Sequence, residues 1–347
     1  VLGWLDGAPV APADRHAPLD HGTRCRARSC STISPGCCAI PTRRSARRRL
    51  SLRQWAQTLT ERAASPDALA QLEYWTLSTS LPPPALPARS GGARGDAAGG
   101  EWPGAPGAVG LTLSADETRD VTAGPAAQAG AETEDLLLAA LALALGGRTG
   151  EPLLYVELEG HGRTPPDGLP EPARTIGWFT ARHPAWFDLT GVPEAAAVAA
   201  VRAQRLSIPN RGADYGALRH LGPDHARDAL AAGRRPAVSL NWLGQLAGIE
   251  HAPFRLVSWR PGCPLRGAER AADLPQQHAL AVETMCLRIE FIYDAARFDA
   301  ATIDTLAADY AAALLRLARE RAAPPAPPPD SPGELDADDL AALAASR

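Results

Sequence analysis

Residues 133–147 read TEDLLLAALALALGG, and no other segment constrains the fold as strongly. Leu136, Leu137, Leu138, Leu141, Leu143 and Leu145 fall on every side of a helix axis. A helix that is apolar all round cannot lie half exposed on a surface, so it must be sandwiched between layers. Thr133 begins it, Asp135 lies in its first turn, and Gly146-Gly147 predicts its end. A short apolar strand is expected directly afterwards, at 153–158, running into Glu159-Gly160-His161-Gly162-Arg163. Further strands are predicted at 109–113 and 237–241, and Leu287, Ile289, Phe291 and Tyr293 alternate as in a sheet. Ile303, Leu306, Tyr310, Leu314 and Leu317 recur at helical spacing and predict a long final helix. This order of strands and helices specifies a layered α/β domain.

The segments around this core are less regular. Leu50, Trp55, Leu59, Leu69, Leu72 and Trp75 suit two short helices, with Ser65-Pro66-Asp67 marking the break. Residues 82–107, rich in Pro, Gly, Ala and Arg, read as a surface connection, and Ser114 with Glu117 forms a capping start. Residues 323–332 form a proline-rich linker, and 334–343 an acidic tail helix or disordered end. The expected organisation is therefore 1–49 as a degraded N-terminal portion, 50–322 as the folded domain, and 323–347 as linker and tail.

Composition removes several function classes. No apolar run approaches the ~18 residues of a membrane span and no charged-then-apolar leader is present, so a cytoplasmic chain is expected. A net charge of -4 gives no global reason to seek nucleic acid or an anionic membrane. All 35 basic residues are arginine, which points to a GC-rich coding sequence. Cys25, Cys30, Cys37 and Cys38 lack the usual CxxC spacing and have no histidine between them, which argues against zinc. Residues 21–60 contain no Asp or Glu while arginines accumulate, and the stretch has neither helical nor strand periodicity. Joining the third base of each codon to the first two of the next, with GC-rich third bases, lets residues 30–46 encode LDDLTRLLRDPDAALG, an amphipathic helix and turn. Residues from about 21 to about 49 are accordingly read as translated out of frame.

The strongest chemical signal is EGHGR at 159–163. Its glycines allow a sharp exit from a buried strand, and Glu159 stands at the strand end, where sites commonly lie. The alternative is a structural ion pair between Glu159 and Arg163, with His161 a satisfied polar residue. RTIGWFT at 174–180, IPNRGADYG at 208–216 and NWLGQ at 241–245 each carry little information alone.

Taken in order, these motifs and the 135–146 helix resemble the C-terminal lobe of epimerization domains of nonribosomal peptide synthetases, within the condensation-domain superfamily. The resemblance runs over about residues 50–321. It implies a chloramphenicol-acetyltransferase-like fold and an aminoacyl or peptidyl thioester substrate, carried on the 4'-phosphopantetheine of a peptidyl carrier protein and inverted from L to D at Cα. The sequence has no GxxxxGK(S/T) loop and no HExxH, so no cofactor of the chain's own and no metal are expected. Glu159 would be the base: a thioester acidifies the α-proton, and burial makes a carboxyl that ordinarily titrates near about 4.3 more basic. The family's HHxxxDG signature survives only in Arg15-His16-Ala17-Pro18-Leu19-Asp20-His21, which keeps the second histidine as His16 and the aspartate as Asp20. His16 matches the second catalytic group and Asp20 its structural partner. Tyr215 and Asn241 match polar residues of the substrate tunnel, and Trp242 stands where the family commonly has tyrosine. Most of the N-terminal lobe is expected to be missing upstream. Two other readings accompany this one: a condensation domain that forms a peptide bond, and an inactive fragment whose tail, through Asp336, Asp338, Asp339, Leu340 and Leu343, docks a downstream synthetase subunit. Sequencing the gene from upstream of Val1 to Trp55 should restore HHxxxDG in a corrected frame; confirmation of the present frame would refute a sequencing error.

Overall fold

The computed structural model describes residues 50–87, 107–163, 179–242, 280–285 and 288–320, together with Pro172, Thr175 and Gly177. His16, Asp20, the four clustered cysteines, the segment read as out of frame, and the linker and tail after 322 lie outside the described residues, as do Arg174, Ile176, Trp178 and 243–245 of the motifs. The chain divides into two units. The larger comprises Thr58–Gly160, Ala181–Gln245 and Pro275–Arg347, and the smaller Val1–Gln57, His161–Thr180 and Leu246–Leu274.

The elements are α1 (Leu52–Ala63), α2 (Pro66–Leu69), α3 (Leu72–Ser80), β1 (Gly107–Thr112), α4 (Ala115–Ala123), α5 (Pro125–Gln128), α6 (Thr133–Thr149), β2 (Leu153–Gly160), β3 (Ala181–Asp188), α7 (Glu194–Ser207), α8 (Tyr215–Leu221), α9 (Asp224–Ala232), β4 (Val238–Trp242), β5 (Leu280–Met285), β6 (Arg288–Tyr293) and α10 (Ala300–Arg319). The six strands form one mixed sheet in the order β1-β6-β5-β4-β2-β3. β2 pairs antiparallel with β3 and parallel with β4, β4 pairs parallel with β5, and β6 lies antiparallel between β5 and β1. The layered α/β expectation holds. No helix of the described residues is long and apolar enough to cross a membrane.

Helix α6 forms the middle of the core in the larger unit. Residues Asp135 to Ala142 are all buried, and α6 packs on β2, α4, α7 and α10. Strand alternation selects what meets this layer. Leu154, Val156 and Leu158 of β2, Ala185 and Phe187 of β3, Val238 and Leu240 of β4, and Ile289, Phe291 and Tyr293 of β6 join the core cluster, whereas Tyr155 and Trp186 do not. The start of α6 is held by the fully buried Asp135. Its Oδ2 accepts from Glu132 N at 2.8 Å in a capping box, and its Oδ1 accepts from Arg205 Nε of α7 at 2.6 Å. A buried carboxylate needs such partners, so one side chain both caps α6 and ties it to α7.

Several expected boundaries change. α6 does not end at Gly146-Gly147 but continues to Thr149, where Gly150 takes φ 84° as the left-handed cap. Gly146 serves close packing instead, since a Cβ there would lie 2.6 Å from Pro152 Cα. The N-terminal helical region has three pieces rather than two, and Ser65 caps the short α2 through its side chain. The Ser114/Glu117 capping box is present. β3 and α7 are not predicted from the sequence. Pro184 removes a donor from β3, which reads against a strand, but β3 is the terminal strand of the sheet, where a missing donor is tolerated.

The IPNRGADYG motif packs against β3. Asn210 and Arg211 adopt φ 43° and 49°, and Gly212 adopts φ 77°. A Cβ on Gly212 would meet the His183 ring at 2.1 Å. His183 is 7% exposed, and its Nδ1 has no hydrogen-bond partner among the described residues. Burial pushes its pKa down to about 4, against a smaller opposing effect of Glu157. The unfolded chain therefore binds a proton near pH 6.5 that the folded chain refuses until about 4. Stability should fall as pH drops through that window, by up to about 3 kcal/mol, and His183→Leu should flatten the loss when urea midpoints of the two proteins are compared across it. Gly212→Ala combines an unfavourable left-handed φ with the ring clash, and should cost roughly 2–5 kcal/mol in the same measurement at neutral pH.

Candidate active site

The core-facing residues of β2 leave Tyr155, Glu157 and Glu159 on the opposite face of the sheet, by the two-residue repeat of a strand. Their antiparallel partners on β3 are Trp186, Pro184 and Arg182. Ser239 of β4 lies beside Glu157, and Asn241 follows two residues later on the same face. This face is graded along the strand. At its inner end Tyr155 and Trp186 stack with centroids 4.4 Å apart, and both polar tips find carbonyls: Tyr155 Oη donates to Arg234 O, and Trp186 Nε1 to Ser78 O, each at 2.8 Å. At its outer end Glu157 and Glu159 face Arg182 of β3. Arg182 Nε lies 3.0 Å from Glu157 Oε1 and 3.6 Å from Glu159 Oε2.

Glu159 is thus placed where the sequence suggests, at the exit of a buried strand, with its side chain 19% exposed. The guanidinium set against it belongs to Arg182 of β3. Arg163 has other partners, all within the smaller unit. Its Nη1 donates to Pro172 O at 2.7 Å and Thr175 O at 3.0 Å, and its guanidinium lies 4.3 Å from the Phe179 ring centroid. His161 Nδ1 accepts from Arg163 N at 2.9 Å. Phe179 packs against Trp55, and Thr175 Oγ1 donates to Leu50 O. In this unit, then, the Arg163 side chain gathers the carbonyls of the GWFT region into a fan of charge-assisted hydrogen bonds.

Tyr215 begins α8 at 8% exposure, its ring 5.0 Å from Trp75 and its Oη accepting from Arg219 Nη1 at 3.3 Å. Burial raises its pKa, so it stays a neutral phenol. The preceding Asp214 anchors the motif. It accepts from both Arg62 Nε and Nη2 at 2.9 Å, and from Gln71 Nε2 and Asn210 Nδ2 at 2.7 Å. Burial opposes its charge, but these donors outweigh burial and hold its carboxyl below the usual range. Asn241 and Trp242 are neighbours in β4 and project to opposite faces. Asn241 takes the Glu157 face, whereas Trp242 follows Leu240 and packs partly buried against the core. The two therefore do not share one wall.

Glu157 and Arg182 are not singled out by the sequence motifs. The signal for Glu157 is present nonetheless, because the alternation in Tyr155-Val156-Glu157-Leu158-Glu159 puts both glutamates on one face. Arg182 is legible only once β3 is recognised as the partner of β2. Among the described residues no group of three or more His, Cys, Asp or Glu side chains is arranged to hold a metal ion.

Known proteins share this arrangement of strands and helices. The epimerization domain from the third module of tyrocidine synthetase B superposes with a TM-score of 0.71 at 25% identity, over 85% of this chain and 66% of that one. The condensation domain of monacolin K polyketide synthase gives 0.59 at 14% identity, over 87% of this chain and 68% of that one, a likeness of fold alone. One linear gramicidin synthase subunit of Brevibacillus parabrevis is 33% identical over 273 residues, covering 76% of this chain and 3% of that protein. Surfactin synthase subunit 1 of Bacillus subtilis (strain 168) is 30% identical over 213 residues, covering 60% and 6%. The chain thus spans only a small part of these synthetase subunits. The fold is the chloramphenicol-acetyltransferase-like α/β fold, and a family model for the condensation domain matches residues 43–326, most of the chain: it belongs to the condensation domain family.

Proposed function

We propose that this chain carries the base-bearing lobe of an epimerization domain, which inverts an aminoacyl or peptidyl thioester from L to D at Cα while the substrate hangs on the phosphopantetheine arm of a peptidyl carrier protein. One observation carries the reading: Glu159 stands at the exit of β2, largely shielded from solvent and faced by a cation, on the sheet face that also bears Glu157, Ser239 and Asn241. The likeness to an epimerization domain at 25% identity supports it.

In this reading the Cα–H bond breaks as Glu159 takes the proton. The electron pair moves into the thioester carbonyl as an enolate, and a proton returns to Cα from the opposite side. His16 is the residue proposed to serve that second side, with Asp20 supporting it. Asn241 and Tyr215 are proposed to line the path of the substrate, Asn241 from the Glu159 face. Trp242, packed against the core, would act there through shape rather than through a hydroxyl. The catalytic domain is proposed to span 50–322, with the peptide following 322 available to a downstream synthetase subunit.

A condensation domain is the second reading, favoured by the family model itself. There the histidine would assist bond formation between two carrier-bound substrates, and Glu159 would be incidental. Solvent deuterium separates the two, since an epimerase places it at Cα without forming a peptide bond. In the frame-corrected full-length protein, Glu159→Gln should lower α-proton exchange at least about 100-fold with an unchanged melting curve. Exchange at the wild-type rate in that variant would remove Glu159 as the base.

A further inference from the structure

We propose that Arg182 is a positioning residue for Glu159, fixing the aim and the ionisation of its carboxylate, and that Glu157 tunes this by sharing the same guanidinium. The inference deepens the epimerase reading and rests on it for its catalytic meaning, but not for its physics. Arg182 is the direct antiparallel partner of Glu159, and Glu157 lies two residues back on the same face. Arg182 Nε lies closer to Glu157, at 3.0 Å, than to Glu159, at 3.6 Å. The carboxylates are 13% and 19% exposed against 43% for the arginine, so the negative charges are the more shielded members of the group.

Two carboxylates this near one another repel when both are charged, and a cation shared between them relieves that repulsion. The tighter contact to Glu157 leaves Glu159 with a partial claim on Arg182. A base needs such a compromise. Full pairing would fix the carboxylate and weaken its pull on a proton, and no pairing would leave two like charges adjacent. Among the described residues, Arg235, Tyr215 and His183 are titratable groups that interact with Glu157. Arg235, before β4, has its pKa lowered by burial and by Arg219, with Glu157 acting the other way and Arg182 adding a smaller lowering effect. Tyr215 is kept neutral by burial and His183 is neutral in the core. Asn241, across on β4, carries no charge. Arg182 faces Glu159 directly, as its cross-strand partner.

Carbon-13 NMR of the full-length protein labelled at the glutamate carboxyl carbon tests this without any substrate, Glu159→Gln identifying the Glu159 signal by its loss. Removing the cation in Arg182→Gln should raise the Glu159 titration midpoint by about one pH unit. Arg182→Lys, which keeps the charge, should restore most of the original midpoint, and Glu157→Gln should move it downward. Opposite shifts from neighbouring substitutions are not produced by a merely structural role. Arg182 is the most exposed of the three and lies on an edge strand, and if its glutamine variant fails to fold, the Arg182→Lys and Glu157→Gln titrations decide alone. The proposal is overturned if the Glu159 midpoint stays unchanged in Arg182→Gln and Glu157→Gln, or moves the same way in both. Failure of the epimerase reading shows separately, as α-proton exchange that survives in Glu159→Gln while the titration shifts remain.

Discussion

The larger unit depends on the burial of α6. A helix with leucine or alanine on every side has no face to offer water, so the sheet must cover one side and α4, α7 and α10 the rest. Truncating any one of its fully buried leucines, such as Leu137 or Leu141, removes transfer energy and leaves a cavity that close-packed neighbours cannot fill. Because the sheet presents only every second residue to α6, the same packing decides what its other face can be. Once Leu154, Val156 and Leu158 are committed to the core, Glu157 and Glu159 have nowhere to go but the opposite side. The position of the candidate base thus follows from the helix, although the two never need to touch.

That polar face sets Glu157 and Glu159 against the guanidinium of Arg182. The stacked pair Tyr155 and Trp186 fills the inner end and finds hydrogen-bond partners for both polar tips, so the face is dry where it meets the body of the domain. Farther out, two glutamates share one arginine. An isolated exposed ion pair contributes little to stability, but here the carboxylates are mostly shielded, and the interaction bears on which protonation state is populated more than on whether the chain folds.

Much of this was legible in the sequence. The α6 helix, the strand feeding EGHGR, the Ser114 capping box and the final long helix are each announced by patterns that local physics enforces. The end of α6 was not, because Gly146 acts through close contact with Pro152 rather than as a stop, a distinction only the tertiary neighbour makes. β3 was hidden by Pro184, which argues against a strand unless the strand is known to lie at an edge. Missing β3 meant missing Arg182, since a residue that acts by cross-strand pairing cannot be recognised before its partner strand. The opposite placement of Asn241 and Trp242 follows from alternation alone, and motif matching, which treats adjacent letters as one site, obscures it.

The IPNRGADYG segment shows how a motif can serve a site from which it stands apart. Two consecutive non-glycine residues, Asn210 and Arg211, hold left-handed backbone angles that cost roughly 1–2 kcal/mol each for an ordinary side chain, and less for asparagine. Asp214 offsets this strain. Its carboxylate binds Asn210 within the turn and at the same time fastens the turn to Arg62 of α1 and to Gln71, just before α3. So held, the turn brings the bare Cα of Gly212 against the His183 ring, a contact that admits no larger residue. His183 faces the core and its chain neighbour Arg182 faces the carboxylates, so the two side chains leave β3 on opposite faces. The strained turn and the buried neutral histidine thus hold β3 at the residue next to Arg182, whose side chain faces Glu157 and Glu159.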